Sequence, residues 1–250
     1  MHAVNRLYRH RKNLSTTQYK SRGMKVKRCE QCRIALDHCI CSLAPKLTEN
    51  VQSNAAFLLL MYDTEVLKPS NTGRLIADLI PDTFAFLWSR TEPNPDLLTL
   101  LADEKWQPYV VFPAQYAQEG REVVMKKVVC QNNKRPLFIM LDGSWREATK
   151  MFRKSPYLSH FPMVSFDPEK VDGDFVKSRY QIRSAAHANQ WATAEVAARV
   201  LSMAGESRNA QLLDLWFDVF NYQYQKSVCQ RSLGNEQAVE DFHQFLDQKT

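Results

Sequence analysis

Short apolar runs alternate with amphipathic stretches along most of this chain. Five runs have the length and the β-branched or aromatic content of strands: Ala55–Tyr62, Thr83–Ser89, Tyr109–Pro113, Leu137–Leu141 and Met163–Phe166. Between them, helical spacing of apolar positions predicts helices over Thr72–Leu79, Pro95–Glu104, Arg121–Val129 and Trp145–Lys154. The remainder reads as helix over Ala192–Met203, Ala210–Lys226 and Glu236–Asp247, with no internal repeat and no low-complexity tract. Strands alternating with helices predict an α/β fold, a mainly parallel sheet with helices on both faces. In such sheets ligand sites gather at the C-terminal ends of the strands.

Length and composition fit that picture. A chain of 250 residues, 44% of them hydrophobic, can bury a sizeable core, so one main domain with small additions is expected. The longest apolar run, Ala55–Tyr62, is too short to cross a bilayer, and no signal-peptide core follows the N-terminus. A cytoplasmic protein with no membrane partner is the expectation, and no obligate protein partner is expected either. The net charge of +6 is unevenly placed. Residues 1–33 carry ten Lys/Arg against one acid, Glu30, so residues 34–250 sum to −3. A basic arm of this kind suits phosphate contacts. It equally suits a solvated, partly disordered leader, and a transit peptide shares its composition.

Four of the six cysteines fall in one short segment, Cys29-x2-Cys32-x6-Cys39-x-Cys41. Disulfides are not expected in a long chain without an export signal. Four thiolates at this spacing point to a closed tetrahedral zinc site that folds its own loop. His38 is an alternative fourth ligand, and an iron–sulfur cluster or a metal-free redox group are the other readings. Cys130 and Cys229 stand alone and read as ordinary thiols.

Only seven glycines occur, and none belongs to a G-x-G-x-x-G, Walker or G-x-S-x-G motif. Rossmann-type, P-loop and nucleophile-elbow enzymes are therefore poorly supported. Two glycines instead sit where an apolar strand turns into a helix. The first turn contains Asp63-Thr64-Glu65 and Lys68-Pro69-Ser70-Asn71-Thr72-Gly73-Arg74, with Ser70, Asn71 or Thr72 available as the helix cap. The second is Asp142-Gly143-Ser144-Trp145, in which Ser144-x-x-Glu147 is a capping box. The cap accounts for Ser144 and Glu147 without any catalytic role. Asp142 is different, because a carboxylate at the end of a buried strand must be paired, solvated or used. On the following helix Trp145, Ala148, Thr149 and Phe152 form one face; Arg146, Lys150 and Arg153, joined by Lys154, form a basic one. That basic face is either solvated surface or a phosphate-binding ridge. A third helix opens at Trp191-Ala192-Thr193-Ala194-Glu195 with Thr193 as its cap, after a loop containing Arg179, Tyr180, Arg183 and His187.

Taken in order, the cysteine set, LLLMYDTEVLKPSNTGRLIADLIPDTFAFLWSRTEP, VVFPA, LFIMLDGSWREATKMFRKSPYL and TAEVA resemble the DTW-domain proteins, nearest the bacterial tRNA-uridine aminocarboxypropyltransferases of that group. The resemblance runs from about Cys29 to Ala204, and Ser144 stands where the family motif Asp-x-Thr-Trp has threonine. It implies a SPOUT-like α/β fold with the option of a knotted ligand loop. The divisions it suggests are a basic arm (1–28), a zinc-binding segment (29–50), a catalytic domain (51–205) and a helical extension (206–250).

The resemblance also implies S-adenosylmethionine as donor, tRNA as partner and 3-(3-amino-3-carboxypropyl)uridine as product, with methylthioadenosine released. Under that reading Asp142 is the candidate general base. Asn71, Thr72, Gly73, Phe112, Pro113, Asp142, Gly143, Ser144, Trp145, Thr193, Ala194 and Glu195 are the candidate donor-binding residues. Arg74 or Arg183 is a candidate partner for the donor carboxylate. Arg146, Lys150, Arg153 and Lys154 are the candidate tRNA contacts, and Cys29, Cys32, Cys39 and Cys41 the zinc ligands. A SPOUT-type RNA methyltransferase and a non-catalytic zinc-containing RNA-binding protein are the alternatives.

Overall fold

The computed structural model describes residues 1–16, 25–49, 51–166, 178–180, 191–228 and 234–248. Six strands form one fully parallel sheet: β1 (Ala56–Met61), β2 (Thr83–Leu87), β3 (Trp106–Val111), β4 (Val123–Val124), β5 (Arg135–Asp142) and β6 (Met163–Val164), in the order β2-β1-β5-β3-β6-β4. The long pairings align Phe57 with Phe138 and Met61 with Asp142, so the ends of β1 and β5 coincide. Side chains alternate across these strands. Phe57, Leu59, Met61, Phe138 and Met140 face one core, and Ala56, Leu58, Leu60, Leu137 and Ile139 face the other. Both faces are covered, which is why β1 is buried at every position rather than at every second one.

On the first face lie α1 (Ala3–Asn13), α2 (Ala44–Glu49), α3 (Gly73–Leu79), α6 (Thr193–Met203), α7 (Ser207–Val228) and α8 (Ala238–Asp247). On the second lie α4 (Pro95–Ala102) and α5 (Trp145–Arg153). The helix leaving β1 and the helix leaving its neighbour β5 thus cover opposite faces, and lead to β2 and β6 on opposite sides. This is a topological switch point, where the diverging loops open a crevice beyond the strand ends.

Two sequence expectations are corrected, and one open alternative is decided. Arg121–Val129 is not a helix: its two valine pairs are β-branched, and Val123–Val124 form β4 against β6 while Val128 N–H donates to the Met203 carbonyl. Strand β3 begins at Trp106 rather than Tyr109 and includes Pro108; β6 covers only Val110 and Val111, so Pro108 lies where that edge is unpaired. The N-terminal arm is not a loose leader over its first turns. Residues Ala3–Asn13 form a helix that buries Val4 completely and is tied by Arg11 to both carboxylate oxygens of Asp63. Lys20, Arg22, Arg183, His187 and Cys229 lie outside the described residues, as does most of the chain between β6 and α6 on which a knot would depend.

Candidate active site and metal site

Asp142 ends β5 with its side chain on the α3/α6 face, as the alternation from Phe138 and Met140 dictates. It is 2% exposed. Asn71 Nδ2 donates to its Oδ2 at 2.7 Å, and the Thr193 hydroxyl donates to its Oδ1 at 2.7 Å. One carboxylate therefore ties the β1–α3 loop, the end of β5 and the start of α6. A Cβ built on Gly73 would lie 2.5 Å from Asp142 Oδ2, so only glycine lets α3 come this close.

The caps around this point are exchanged between elements. Thr72, at the start of α3, makes no capping hydrogen bond to its own helix; Asn71 Oδ1 accepts from Arg74 N–H instead. The Thr72 hydroxyl accepts from Ala194 N–H, serving an orphan donor of α6. Thr193 does not cap its own helix, because its hydroxyl is given to Asp142. Asn71 is itself oriented by Glu65, a 2%-exposed carboxylate that also holds Lys68.

Glu195 is turned away from a ligand role. Its carboxylate, 3% exposed, accepts from Ala192 N–H, Arg179 N–H and the Ser178 hydroxyl. Arg179 in turn pairs with Asp214 at 2.7 Å and Asp218 at 2.6 Å on α7, and Tyr180 donates its hydroxyl to the Ser70 carbonyl at 2.6 Å. This clamp presses residues 178–180 onto the same crevice. Burial pushes the Asp218 carboxyl up to about 6, although Arg179 pulls it the other way.

Across the sheet, Ser144 completes the expected capping box with Glu147. Trp145 is 37% exposed and stacks on Phe112, with centroids 5.5 Å apart and planes 3° from parallel. Phe112, itself buried, stacks on Phe152 at 4.4 Å. Phe112 and Trp145 thus belong to an aromatic cluster on the α5 side, and Pro113 leads from it into the following turn. Asn71, Thr72, Gly73, Asp142, Thr193 and Ala194 converge on the opposite side, and Gly143 joins the two groups.

A family model for the DTW domain matches residues 26–225. The chain belongs to the DTW-domain family. That domain is associated with tRNA-modifying enzymes. No solved structure matches the chain. The DTW motif itself is the Asp142–Trp145 turn, and the geometry gives its members separate tasks: Asp142 ties three elements, Ser144 caps α5, and Trp145 presents a ring face.

The cysteine segment of this DTW protein packs against the same helices. The Sγ atoms of Cys29, Cys32, Cys39 and Cys41 lie within 4.8 Å of one another, with Cys29–Cys41 and Cys32–Cys39 each at 3.6 Å. A Zn–S bond of about 2.3 Å gives a tetrahedral edge of roughly 3.8 Å, whereas a disulfide needs about 2.05 Å. The four thiols fit a zinc ion in size and in donor type. Arg33 adopts φ 59° just after Cys32, closing the turn through Arg33 N–H to the Cys29 carbonyl and Cys29 N–H to the Ile34 carbonyl. A hydrogen bond from Cys41, helped by the Ile34 and Ile40 backbone and the positive charge of Arg74, holds the Cys32 thiol down at about 5.

Arg74 is 1% exposed, its guanidinium over the Phe220 ring at 4.7 Å and electrostatically paired with Asp78, Cys32 and Cys41. Its Nε also donates to the Asn71 carbonyl at 3.3 Å, so the same arginine braces the loop that holds Asp142. Arg33, also buried, is lowered to about 9 by burial and by Arg74. Two buried cations beside four thiols are what a zinc tetrathiolate, formally doubly negative, calls for.

The basic face of α5 is as expected from the sequence: Arg146, Lys150, Arg153 and Lys154 are all exposed. Lys150 lies 5.6 Å from both the Tyr62 and Trp88 rings, which stack on each other. The residues that sequence reasoning missed are Tyr62 and Trp88; Glu65 and Tyr180 stand in the candidate loops, but without a sign of their contacts to Asn71 and the Ser70 carbonyl. Tyr62 follows directly on β1 and Trp88 on β2, and their stacking joins two strands whose pairing no local pattern marks.

Proposed function

We propose that this protein transfers the 3-amino-3-carboxypropyl group of S-adenosylmethionine to N3 of a uridine in tRNA. The observation that carries the reading is the Asp142 knot of hydrogen bonds at the switch point, on a chain of the DTW family. It joins the three segments that the family resemblance assigns to the donor, and Gly143 links it to an exposed tryptophan suited to a base on the α5 side. Trp145 and the α5 cations supply the acceptor side, the tryptophan by stacking and the cations through phosphates.

In the reaction N3 attacks the γ-carbon of the methionine moiety, the γ-carbon–sulfur bond breaks, and its electron pair neutralises the sulfonium. Methylthioadenosine leaves and the N3 proton passes to a base. Three carbons on that sulfur are electrophilic, so the product depends on which one is held in line with N3. Placement is the protein's main task. A carboxylate aimed at the sulfonium would stabilise the charged ground state more than the transition state. Asp142, buried and held by Asn71 and Thr193, is suited to fixing the pocket, and it can take the N3 proton only where the uridine reaches its remaining lone pairs through that burial. We therefore assign it first as a positioning residue.

The test is incubation of the full chain with unmodified tRNA and donor labelled in the aminobutyrate portion. Label is expected in tRNA together with methylthioadenosine. Methylated tRNA with adenosylhomocysteine would replace the reading by a methyltransferase; tRNA binding without any donor binding in calorimetry would replace it by a binding protein. Asp142→Asn separates the two roles of the carboxylate. Positioning predicts weaker donor binding and a loss of about 1–3 kcal/mol of stability. A fall in kcat with donor affinity and stability intact would restore the general base.

A further inference from the structure

Beside the Trp145 cluster a cleft of about 520 Å³ opens on the α5 side of the sheet, lined by residues including Gln115, Tyr116, Gln118, Arg121, Phe152 and Arg153. Its volume is that of a site for one small ligand unit. Its wall is fixed rather than pliable: Arg121 donates from Nε to the Phe161 carbonyl at 2.9 Å and from Nη2 to the Leu158 carbonyl at 2.8 Å. The same guanidinium covers the Phe152 ring at 5.3 Å. Two arginines and no carboxylate are among its described lining residues.

The aromatic floor is continuous with the candidate active site. Tyr116 meets Phe152 edge-on at 6.4 Å and Trp145 edge-on at 5.8 Å, and Phe112 lies stacked between Trp145 and Phe152. A ring face at Trp145 and a second aromatic pocket farther along the same helix form two adjoining places for flat groups. The exposed Gln115 and Gln118 amides offer both donors and acceptors, which a base edge requires. Arg153 at the rim, with Arg146, Lys150 and Lys154 on the same helix, supplies positive charge along the path between them.

We propose that this cleft binds a nucleotide neighbouring the modified uridine, its base against Tyr116 and the Arg121 guanidinium that covers Phe152, its edge read by Gln115 and Gln118, and its phosphate held by Arg153. Stacking plus edge contacts is how unpaired RNA bases are recognised, so the occupied tRNA segment is single-stranded. The proposal rests on tRNA being the acceptor, but not on which group is transferred. It makes these residues determinants of which uridine is chosen.

The experiment uses the full chain with an unmodified tRNA transcript, without donor, titrated by fluorescence anisotropy across a salt series. Tyr116→Ala is expected to weaken binding roughly 5- to 100-fold, the range of one lost base stack. Arg153→Glu is expected to lower the log–log salt slope by about 1. Calorimetry with S-adenosylmethionine alone should give an unchanged affinity in both. Because Tyr116 packs on the Trp145 cluster, its variant is accompanied by Gln118→Ala and by a benzophenone side chain placed at position 118 for cross-linking. The cross-link should map to an unpaired nucleotide next to the modified uridine. Unchanged tRNA affinity in Arg153→Glu and Gln118→Ala, or a cross-link confined to a paired stem, overturns the proposal. Undiminished transfer in every variant would remove the cleft and leave the reaction standing. Cleft-dependent tRNA binding with a methylated product would remove the reaction and leave the cleft standing.

Discussion

Asp142 and Gly73 are a matched pair. The carboxylate can serve both Asn71 and Thr193 only because α3 starts with no side chain against it. Gly73→Ala would place a methyl 2.5 Å from Asp142 Oδ2, closer than any real contact. The expected cost is about 1–3 kcal/mol, as for other overpacked sites, because helix and strand must part. Urea unfolding should show it, with a parallel loss of donor affinity by calorimetry. Unchanged stability would mean that the carboxylate can turn aside, and that its two hydrogen bonds are not shaping the crevice. The sequence placed Asp142 at a strand end and Gly73 at a turn; it held no sign that these residues, 69 positions apart, touch.

At the scale of elements, helix starts here are capped by their neighbours. Thr72 serves α6, Asn71 serves α3, and Glu195 gathers the start of α6 with residues 178 and 179. The Arg179 clamp adds α7 through Asp214 and Asp218. Its pH dependence has a definite sign. Asp218 titrates near 6 in the fold, above the ordinary carboxylate value of about 3.9. The protonated form thus contributes stability that is complete below about pH 4 and is lost as pH rises through 6. Arg179, Asp214, Glu195 and Asp241 all face this carboxyl; Arg179 favours its charge and the three acids oppose it. Asp218→Asn should flatten the decline in urea midpoint between about pH 4 and 6, and an unaltered profile would assign that decline to other groups.

The cysteine segment is an element of the same kind, closed by one ion rather than by a core. If zinc holds it, Cys39→Ser should lower metal content and open residues 25–49 to protease. The change should also reach α3, because buried Arg74 would lose its anionic neighbours. Stoichiometric zinc in that variant would exclude Cys39 as an essential ligand.

For the whole molecule, one core joins segments that the sequence suggested as separate. Val4 of α1, Ile34 and Ile40 of the cysteine segment, β1 residues and Phe242 of α8 belong to a single buried cluster. Among the described residues no helix is long and apolar enough to cross a membrane. Part of the basic arm is spent on this packing: Arg11 on Asp63, and Arg33 on the Val66 carbonyl. Arg6, Arg9 and Lys12 remain exposed for other partners. Arg11→Ala should cost about 1 kcal/mol or less, as a partly exposed pair does, while loosening the loop after β1. Faster hydrogen exchange at Val66 and Leu67 would reveal the loosening, and unchanged exchange would make the ion pair a surface ornament.

The periodicity of the chain determined the parallel sheet and all but one of the helices expected between its strands, because burial on both faces forces continuous apolar runs and 3.6-residue spacing is local. It also determined the α5 cap, the exposed basic ridge and the four-cysteine set, each written within a dozen or so neighbouring residues. The family match adds a class of activity to that frame. Only the tertiary structure decided that Arg121–Val129 yields an edge strand, that the arm docks as a helix, and that Arg74 is buried beside the thiols while bracing the Asn71 loop. It also decided that Asp142 is a buried tie between three elements. Those outcomes depend on partners far apart in the chain, and a hydrogen bond or ion pair between distant residues leaves no mark on the local spacing of either one.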